Sequence, residues 1–439
     1  MKLVIRLLLG ALLVAGISDW GKIAQCQPKI DKLQTDYLNS ELPKWLKLGG
    51  EERVRVETLY DVNFRLGDNT YLLNRLRLDI AATPLPWLTF VAQGQDARVF
   101  FSDISPAPTS QQDPIDFRLG YVNIGNSESG PFSLRAGRQG LDFGEGRLLA
   151  DPNWSNVGRS FDAVRLTLQH GGFRADFFSG ASDKICPDGY ASPTPGEHLD
   201  GAYLSSGRII PKAIVEPYLF WKMEHNLKGE LVKTGNLDEK TAGLRLVGKF
   251  LFGLDYGMES AMQRGSLGVE PISAWATHIV AGFSLPDIQH LTRLYGEFNR
   301  GSGDRNPKDG IHGTFDILFP SSHDKFGLTD LFCWSNLEHV RGGLQSRARA
   351  NLSLGFAYNS FWLTNRHDGI YSSGKLIIAS NGSEGSFIGQ EPDAQAHWNI
   401  TSRMQFDLTA GHLFAGSFLR ATGGYNGFNI TTFGIGQRF

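Results

Sequence analysis

The chain runs to 439 residues, 41% hydrophobic and 20% charged, rich in Gly (52) and Phe (29) and poor in Cys (3). Its formal net charge of -2 excludes the global basic field of a nucleic-acid binder. So few cysteines exclude a disulfide-stapled scaffold, and no apolar run reaches the length of about 18 residues that marks a membrane-spanning helix.

Lys2 and Arg6 precede an apolar stretch, Leu7 to Ile17, in the charge and length pattern of a secretory signal peptide. Cleavage after Ala24-Gln25-Cys26 gives a signal over residues 1–26, and Gln25 in front of Cys26 argues against a lipidated cysteine. Its removal takes away Lys2, Arg6 and Lys22 against Asp19, so the mature chain carries about -4 on the same count. Residues 27–44 read as a short polar periplasmic segment with a short helix over Lys29 to Leu38. Everything from residue 45 to 439 belongs to one further unit.

That unit alternates. Leu48, Gly50, Val54 and Val56 share one parity, while Lys47, Glu51, Arg53, Arg55 and Glu57 share the other. A strand with so charged a second face cannot be buried on both sides. Leu72, Leu76, Leu78 and Ile80 then stand against Arg75, Arg77 and Asp79. Thr83-Pro84-Leu85-Pro86 breaks the ladder as a tight turn, and Trp87 beside it suits a membrane interface. The design recurs at Leu88–Phe100, Phe117–Tyr121, Val164–Gln169, Leu254–Gln263, Arg293–Asn299 and Arg349–Asn359.

Strands of about ten alternating residues, joined in turn by short turns and long polar loops, are the signature of an outer-membrane β-barrel. A soluble β-sandwich also alternates, but its core does not tolerate mid-strand Arg and Glu as a wet lumen does. The chain ends FGIGQRF, with Phe433, Ile435 and Phe439 on one parity. That ending resembles the C-terminal signal of such barrels, with Gln437 where an aromatic is commoner. The expected fold is therefore all-β: a single transmembrane antiparallel barrel. About 410 residues at roughly 23 per strand and connection give about 18 strands, with 16 also compatible. Its lumen is water-filled unless loops fold in. Long loops fall at Ser102–Asp113, Asp142–Arg159, Ser182–His198, Arg300–Gly327 and Asn365–Phe387.

Between Leu134 and Asp162, four arginines (Arg135, Arg138, Arg147, Arg159) meet four acids (Asp142, Glu145, Asp151, Asp162), with Phe143 and Trp154 among them. Two readings stand: a salt-bridged surface loop, or an inward-folded constriction loop. Other polar groups carry less. Asp304, Asp309, Asp316 and Asp324 would be the set for calcium on an extracellular loop, but their spacing matches no known loop, and a solvated loop is the expectation. Gly301-Ser302-Gly303-Asp304 lacks the Lys-Ser/Thr of a phosphate loop. No metal set, cofactor motif or catalytic constellation is present in the pattern, so an enzyme is not the expectation.

Several stretches resemble the alginate export family of bacterial outer-membrane barrels. They are GRQ (Gly137–Gln139), GEGRLL (Gly144–Leu149), WSNVGRSFDAVRL (Trp154–Leu166) and the long GSGDRNPKDGIHGTFDILFPSSHDKFGLTDL (Gly301–Leu331). FWLTNRHDGIYSSGKL (Phe361–Leu376) and GHLFAGSFL (Gly411–Leu419) are similar too. In EPDAQAHW, Pro392 stands where the family usually carries an aliphatic, so a bulge or weak pairing is expected there. The resemblance implies an outer-membrane channel with an arginine-rich lumen, gated by an inward loop and passing an alginate-like polyuronate or its oligomers. It implies outer-membrane lipid around it, a periplasmic export scaffold beside it, and no nucleic-acid partner. On that reading Arg53, Arg55, Arg75, Arg77, Arg135, Arg138, Arg159 and Arg165 are carboxylate-binding rungs, since the guanidinium fork grips carboxylates and stays charged. Glu51, Glu57, Asp79, Asp142, Glu145 and Asp162 would pair with them and fix their rotamers. A general or anion-preferring uptake porin for small solutes would use the same arginines, and a secreted β-rich enzyme or lectin is the third alternative.

Overall fold

The alternating segments form strands, and each barrel strand pairs antiparallel with the next along the chain. The structure, a computed structural model, describes residues 34–64, 67–126, 130–186, 189–231, 234–250, 252–285, 292–424 and 427–439. The signal expected over 1–26 lies outside the described residues.

Among the described residues, eighteen strands make the wall. They begin with β1 (Leu46–Tyr60), β2 (Asp68–Leu85), β3 (Leu88–Phe100), β4 (Asp113–Gly125), β5 (Phe132–Gln139) and β6 (Phe161–His170). Next come β7 (Phe173–Lys184), β8 (Glu197–Ser206), β9 (Ala213–Leu227), β10 (Gly235–Lys249), β11 (Leu254–Leu267) and β12 (Glu270–Ser284). The wall ends with β13 (Arg293–Gly301), β14 (Leu337–Arg349), β15 (Leu352–Leu363), β16 (Phe387–Asn399), β17 (Met404–Ala415) and β18 (Phe428–Arg438). Strand β18 returns to β1 in register from Glu51↔Arg438 to Tyr60↔Asn429, so the sheet is closed. Phe439 lies against Gly50 at this seam, where a Cβ on Gly50 would meet its ring at 2.6 Å. A short helix, α1 (Gln34–Glu41), is clipped to the same end by Asp36, which accepts from both Nη groups of Arg403.

The pleat sorts the side chains. Leu78, Ile80, Phe90, Leu219, Met262 and Ile279 are exposed on the outer wall, while Arg55, Arg75, Arg77 and Gln95 on the opposite parity are buried inside. In a bilayer this is the stable arrangement, because closure pairs the strand N–H and C=O groups along the ladders and apolar side chains meet lipid. The expected weak pairing at Pro392 is present. The β16–β17 ladder is interrupted at Glu391 and Pro392, where proline has no N–H to donate.

The apolar core sits inside the barrel, and loops supply much of it. Phe315, Ile317, Leu318, Phe319, Phe326, Phe332 and Trp334 of the 302–336 loop pack with Phe143, Leu148 and Leu149 of the 140–160 loop. Wall residues Phe161, Phe178, Tyr203, Tyr218 and Phe220 complete it, and Phe418 and Leu419 of α2 (Ser417–Ala421) join from above. The expectation of a solvated loop beyond Arg300 is therefore corrected: this segment folds into the lumen. Its apolar residues follow neither a helical nor a strand period, so alternation carried no signal of their burial.

Candidate functional site

The 140–160 loop crosses the lumen because the wall holds its backbone. Arg53 donates to the carbonyls of Asn153 at 2.7 Å, Trp154 at 3.1 Å and Ser155 at 2.9 Å. Arg55 donates to the Trp154 carbonyl at 2.7 Å. Arg75, with 1% of its surface exposed, donates to the carbonyls of Asn153 and Ser155, both at 3.0 Å. Arg77 reaches Asn153 Oδ1 at 3.1 Å and the Val157 carbonyl at 3.2 Å. Chain segments without regular structure need partners for their carbonyls, and a row of guanidinium forks supplies them. Gly158 permits the return, at φ +86° with the Arg77 and Arg118 guanidiniums beside it.

The second inward loop locks onto the first. Ala150 N donates to Phe319 O at 2.9 Å, Phe319 N to Leu148 O at 2.8 Å and Ser321 N to Gly146 O at 2.8 Å, a short parallel bridge. Arg159 donates to the Ala150 and Pro320 carbonyls, and burial pushes its guanidinium down to about 10. Trp154 lies between the Arg55 guanidinium, 4.0 Å from its ring centroid, and the His323 imidazole, stacked at 3.7 Å. His323 Nδ1 is 2.7 Å from Asp330 Oδ2.

Cavities lie on both sides of this stack. One of about 490 Å³ opens toward the long loops and is lined by Glu57, Gln111, Arg118, Arg159 and Asp330. Another of about 280 Å³ opens toward the termini and is lined by Glu51, Arg53, Arg403, Gln405 and Asp407. Arg55, Trp154 and His323 line both. A third, of about 240 Å³, meets the second at Asp324 and Gln395 and is lined by Arg147, His278, Arg293, Glu297 and Arg341.

The residues expected as rungs divide. Arg53, Arg55, Arg75 and Arg77 face the lumen and hold the loop. Arg75 and Arg77 also pair with Glu51, and Arg55 with Glu57 at 2.6 Å. Arg135 and Arg165 are direct cross-strand neighbours on the lumen wall; Arg165 pairs with Asp176, and Arg135 stacks over Tyr121 at 4.3 Å. Arg138 and Asp162 do not face the lumen. They share the outward parity of Phe132, Val164 and Leu168 and join Asp183 at the rim. In a strand the parity decides, and Arg135 and Arg138, three residues apart, cannot both point inward.

The supporting acids divide likewise. Glu145 bridges Arg147 and Arg245, which hold its carboxyl below the usual range despite burial. Asp79 accepts from Gln93, and Asp142 accepts from the Asp151 amide, with neither bonded to an arginine in the expected set. The four loop aspartates serve separate sets. Asp304 accepts from the amides of Asn306 and Gly313, Asp309 from Ile311, Asp316 from Lys222 and Asp324 from Lys325. Arg118, Arg147, Arg245 and Arg341 are lumen cations missing from the expected set. The position of Arg118 opposite Phe117 and Leu119 was the available signal, and Arg147 lay in plain view within the charged loop.

A closed barrel with a lipid-facing apolar belt, a polar lumen wall and two inward loops around a narrow stack defines a bacterial outer-membrane channel. The chain belongs to the alginate export family, whose model matches residues 44–433. No curated protein shows a sequence match to it. Among solved structures it is similar in fold to Pseudomonas aeruginosa OpdQ, with TM-score 0.62 and 10% identity over 90% of this chain and 98% of that one. OccK11 (OpdR) of the same organism gives 0.58 and 11% over 90% and 95%. Its OpdK, solved with vanillate, gives 0.58 and 10% over 89% and 98%.

Proposed function

We propose that this channel passes carboxylated saccharides, an alginate-like polyuronate or its oligomers, through the gap beside Trp154. The observation that carries the reading is the Arg135–Arg165 pair. Like charges directly opposite on a sheet are unfavourable unless something answers them. Asp176 answers Arg165, while Arg135 has no carboxylate partner among the described residues. Its guanidinium therefore stands available on the lumen wall for a passing carboxylate. Spaced single contacts of this kind let an anion enter and leave, where one deep site would trap it.

The loop-holding arginines support the same chemistry indirectly. Their forks are largely occupied by carbonyls, so they set a positive potential at the constriction rather than a row of empty hooks. A second reading, an uptake channel for small carboxylates, is favoured by the narrowness that the Trp154–His323 stack imposes.

The test is single-channel current of the full chain in a planar bilayer under a salt gradient, followed by oligomannuronate or a monocarboxylate on either side. Anion-selective reversal with block by the oligomer supports the saccharide reading. Block by the monocarboxylate alone moves it to the small-solute porin, and a cation-selective pore overturns both.

A further inference from the structure

On the outer wall, Lys240 of β10 and Arg264 of β11 are direct cross-strand partners, both exposed. A cation facing a cation on a surface meant for lipid is unfavourable twice over, through mutual repulsion and through contact with an apolar medium. Below the pair, toward mid-strand, the same parity is mostly apolar. Leu219, Leu244, Met262 and Ile279 form an exposed belt over β9 to β12, and the two cations stand at its margin, toward the long-loop, extracellular ends of the strands.

Tryptophans flank the pair as they flank a membrane interface. The Trp221 ring receives Lys240 Nζ at 4.8 Å, and Trp275 is half-exposed beside Met262. Lys240 shares its charge with Asp238 at 2.8 Å, also on the outer face, so it is not alone. Arg264 donates from Nη1 to the Gln263 and Ala274 carbonyls, and among the described residues no carboxylate meets it. The next outward cation along the wall, Arg300, pairs with Glu338 at 3.2 Å.

We infer that Lys240 and Arg264 form a docking site for the phosphate of a phosphorylated glycolipid in the outer leaflet, with its acyl chains along Leu219, Leu244 and Met262. A phosphate monoester carries more than one charge and several acceptor oxygens, so it can answer both cations at once. Trp221 and Trp275 fix the depth of the headgroup. The site faces lipid, is separate from the lumen, and does not depend on what the channel carries.

The experiment is native mass spectrometry of the refolded full chain in detergent with added bisphosphorylated lipid A. Dephosphorylated lipid A and phosphatidylglycerol are run as competitors. Wild type should retain the phosphorylated lipid through micelle removal. Lys240→Ser with Arg264→Gln should lower its occupancy by about tenfold, and Lys240→Arg with Arg264→Lys should restore it. Single-channel conductance reports folding and should match wild type in every variant. If the double variant does not fold, Arg264→Gln alone carries the test. Equal retention of lipid A by wild type and the neutral variants overturns the site. So does equal retention of dephosphorylated lipid A, or of phosphatidylglycerol, by wild type.

Discussion

The Trp154 indole lies flat on the His323 imidazole, with ring centroids 3.7 Å apart and planes 5° from parallel. This stack joins two loops that enter the lumen from distant parts of the chain, and the cavities on either side of it share only these rings and Arg55 among their lining residues. Width at this level is therefore set by three side chains, the two rings and the Arg55 guanidinium.

Trp154→Ala should raise single-channel conductance several-fold. The ring contacts with Arg55 and His323 are lost, but the loop stays anchored, because Arg53 and Arg55 hold the Trp154 carbonyl and Arg75 holds those of Asn153 and Ser155. His323→Ala should give a smaller rise. Unchanged conductance in Trp154→Ala would place the narrowest point elsewhere.

Arg75→Met should do the opposite kind of damage. It takes one of two guanidinium donors from each of the Asn153 and Ser155 carbonyls, leaving Arg53, and leaves Glu51 with Arg77, at about 0.5–1.5 kcal/mol for each hydrogen bond lost. The expected readout is a lower Tm together with a noisy, fluctuating open-channel current. A quiet current and wild-type Tm would show that the loop is held by other means.

Arg135→Glu should shift the reversal potential toward cations, since it reverses the lumen charge that no carboxylate answers. Arg138→Gln, on outward parity with Asp162, should leave selectivity unchanged. Equal effects from the two would contradict the parity assignment.

Outside the wall, Glu230 titrates where it can be watched. Burial first, then a hydrogen bond with Asp304, pushes its carboxyl from 4.5 up to about 7. It accepts from Gly310 N at 2.9 Å, His312 lies 3.8 Å away, and Glu270 and Asp309 face the same cluster. Between 4.5 and 7 the folded state binds the extra proton, so stability falls as pH rises through that window. Protection of the 302–313 segment from proteolysis should therefore be higher at the acid end. Glu230→Gln should flatten the profile, and an unchanged slope in that variant would assign the dependence to another group.

Much of the wall was legible. Alternation about Arg53–Val56 and Arg75–Leu78 gave the two faces, and the loop positions follow from where alternation stops. The charge of residues 140–160 offered an inward course as one of two readings, the other being a salt-bridged surface loop. Two things were hidden. Phe315 to Trp334 pack by shape against Phe143 and Leu149, and irregular chain has no period to betray burial. The arginines were visible, but their partners were not. Backbone carbonyls of Asn153, Trp154 and Ser155 leave no mark in a sequence, so forks that hold a loop look the same as forks that wait for a ligand. Arg138 was the avoidable error, since strand parity alone separates it from Arg135.

The seam between β1 and β18 has a consequence for assembly. Strand β1 bonds on one side to its nearest neighbour in sequence and on the other to the last strand of the wall. Until that final ladder forms, two rows of N–H and C=O groups lie bare, which lipid cannot accept. Closure across nearly the whole chain is also the slowest contact to find. Insertion and sealing must then be a single late event. A chain lacking Phe428–Arg438 should yield no narrower pore, only protein that never leaves the assembly pathway.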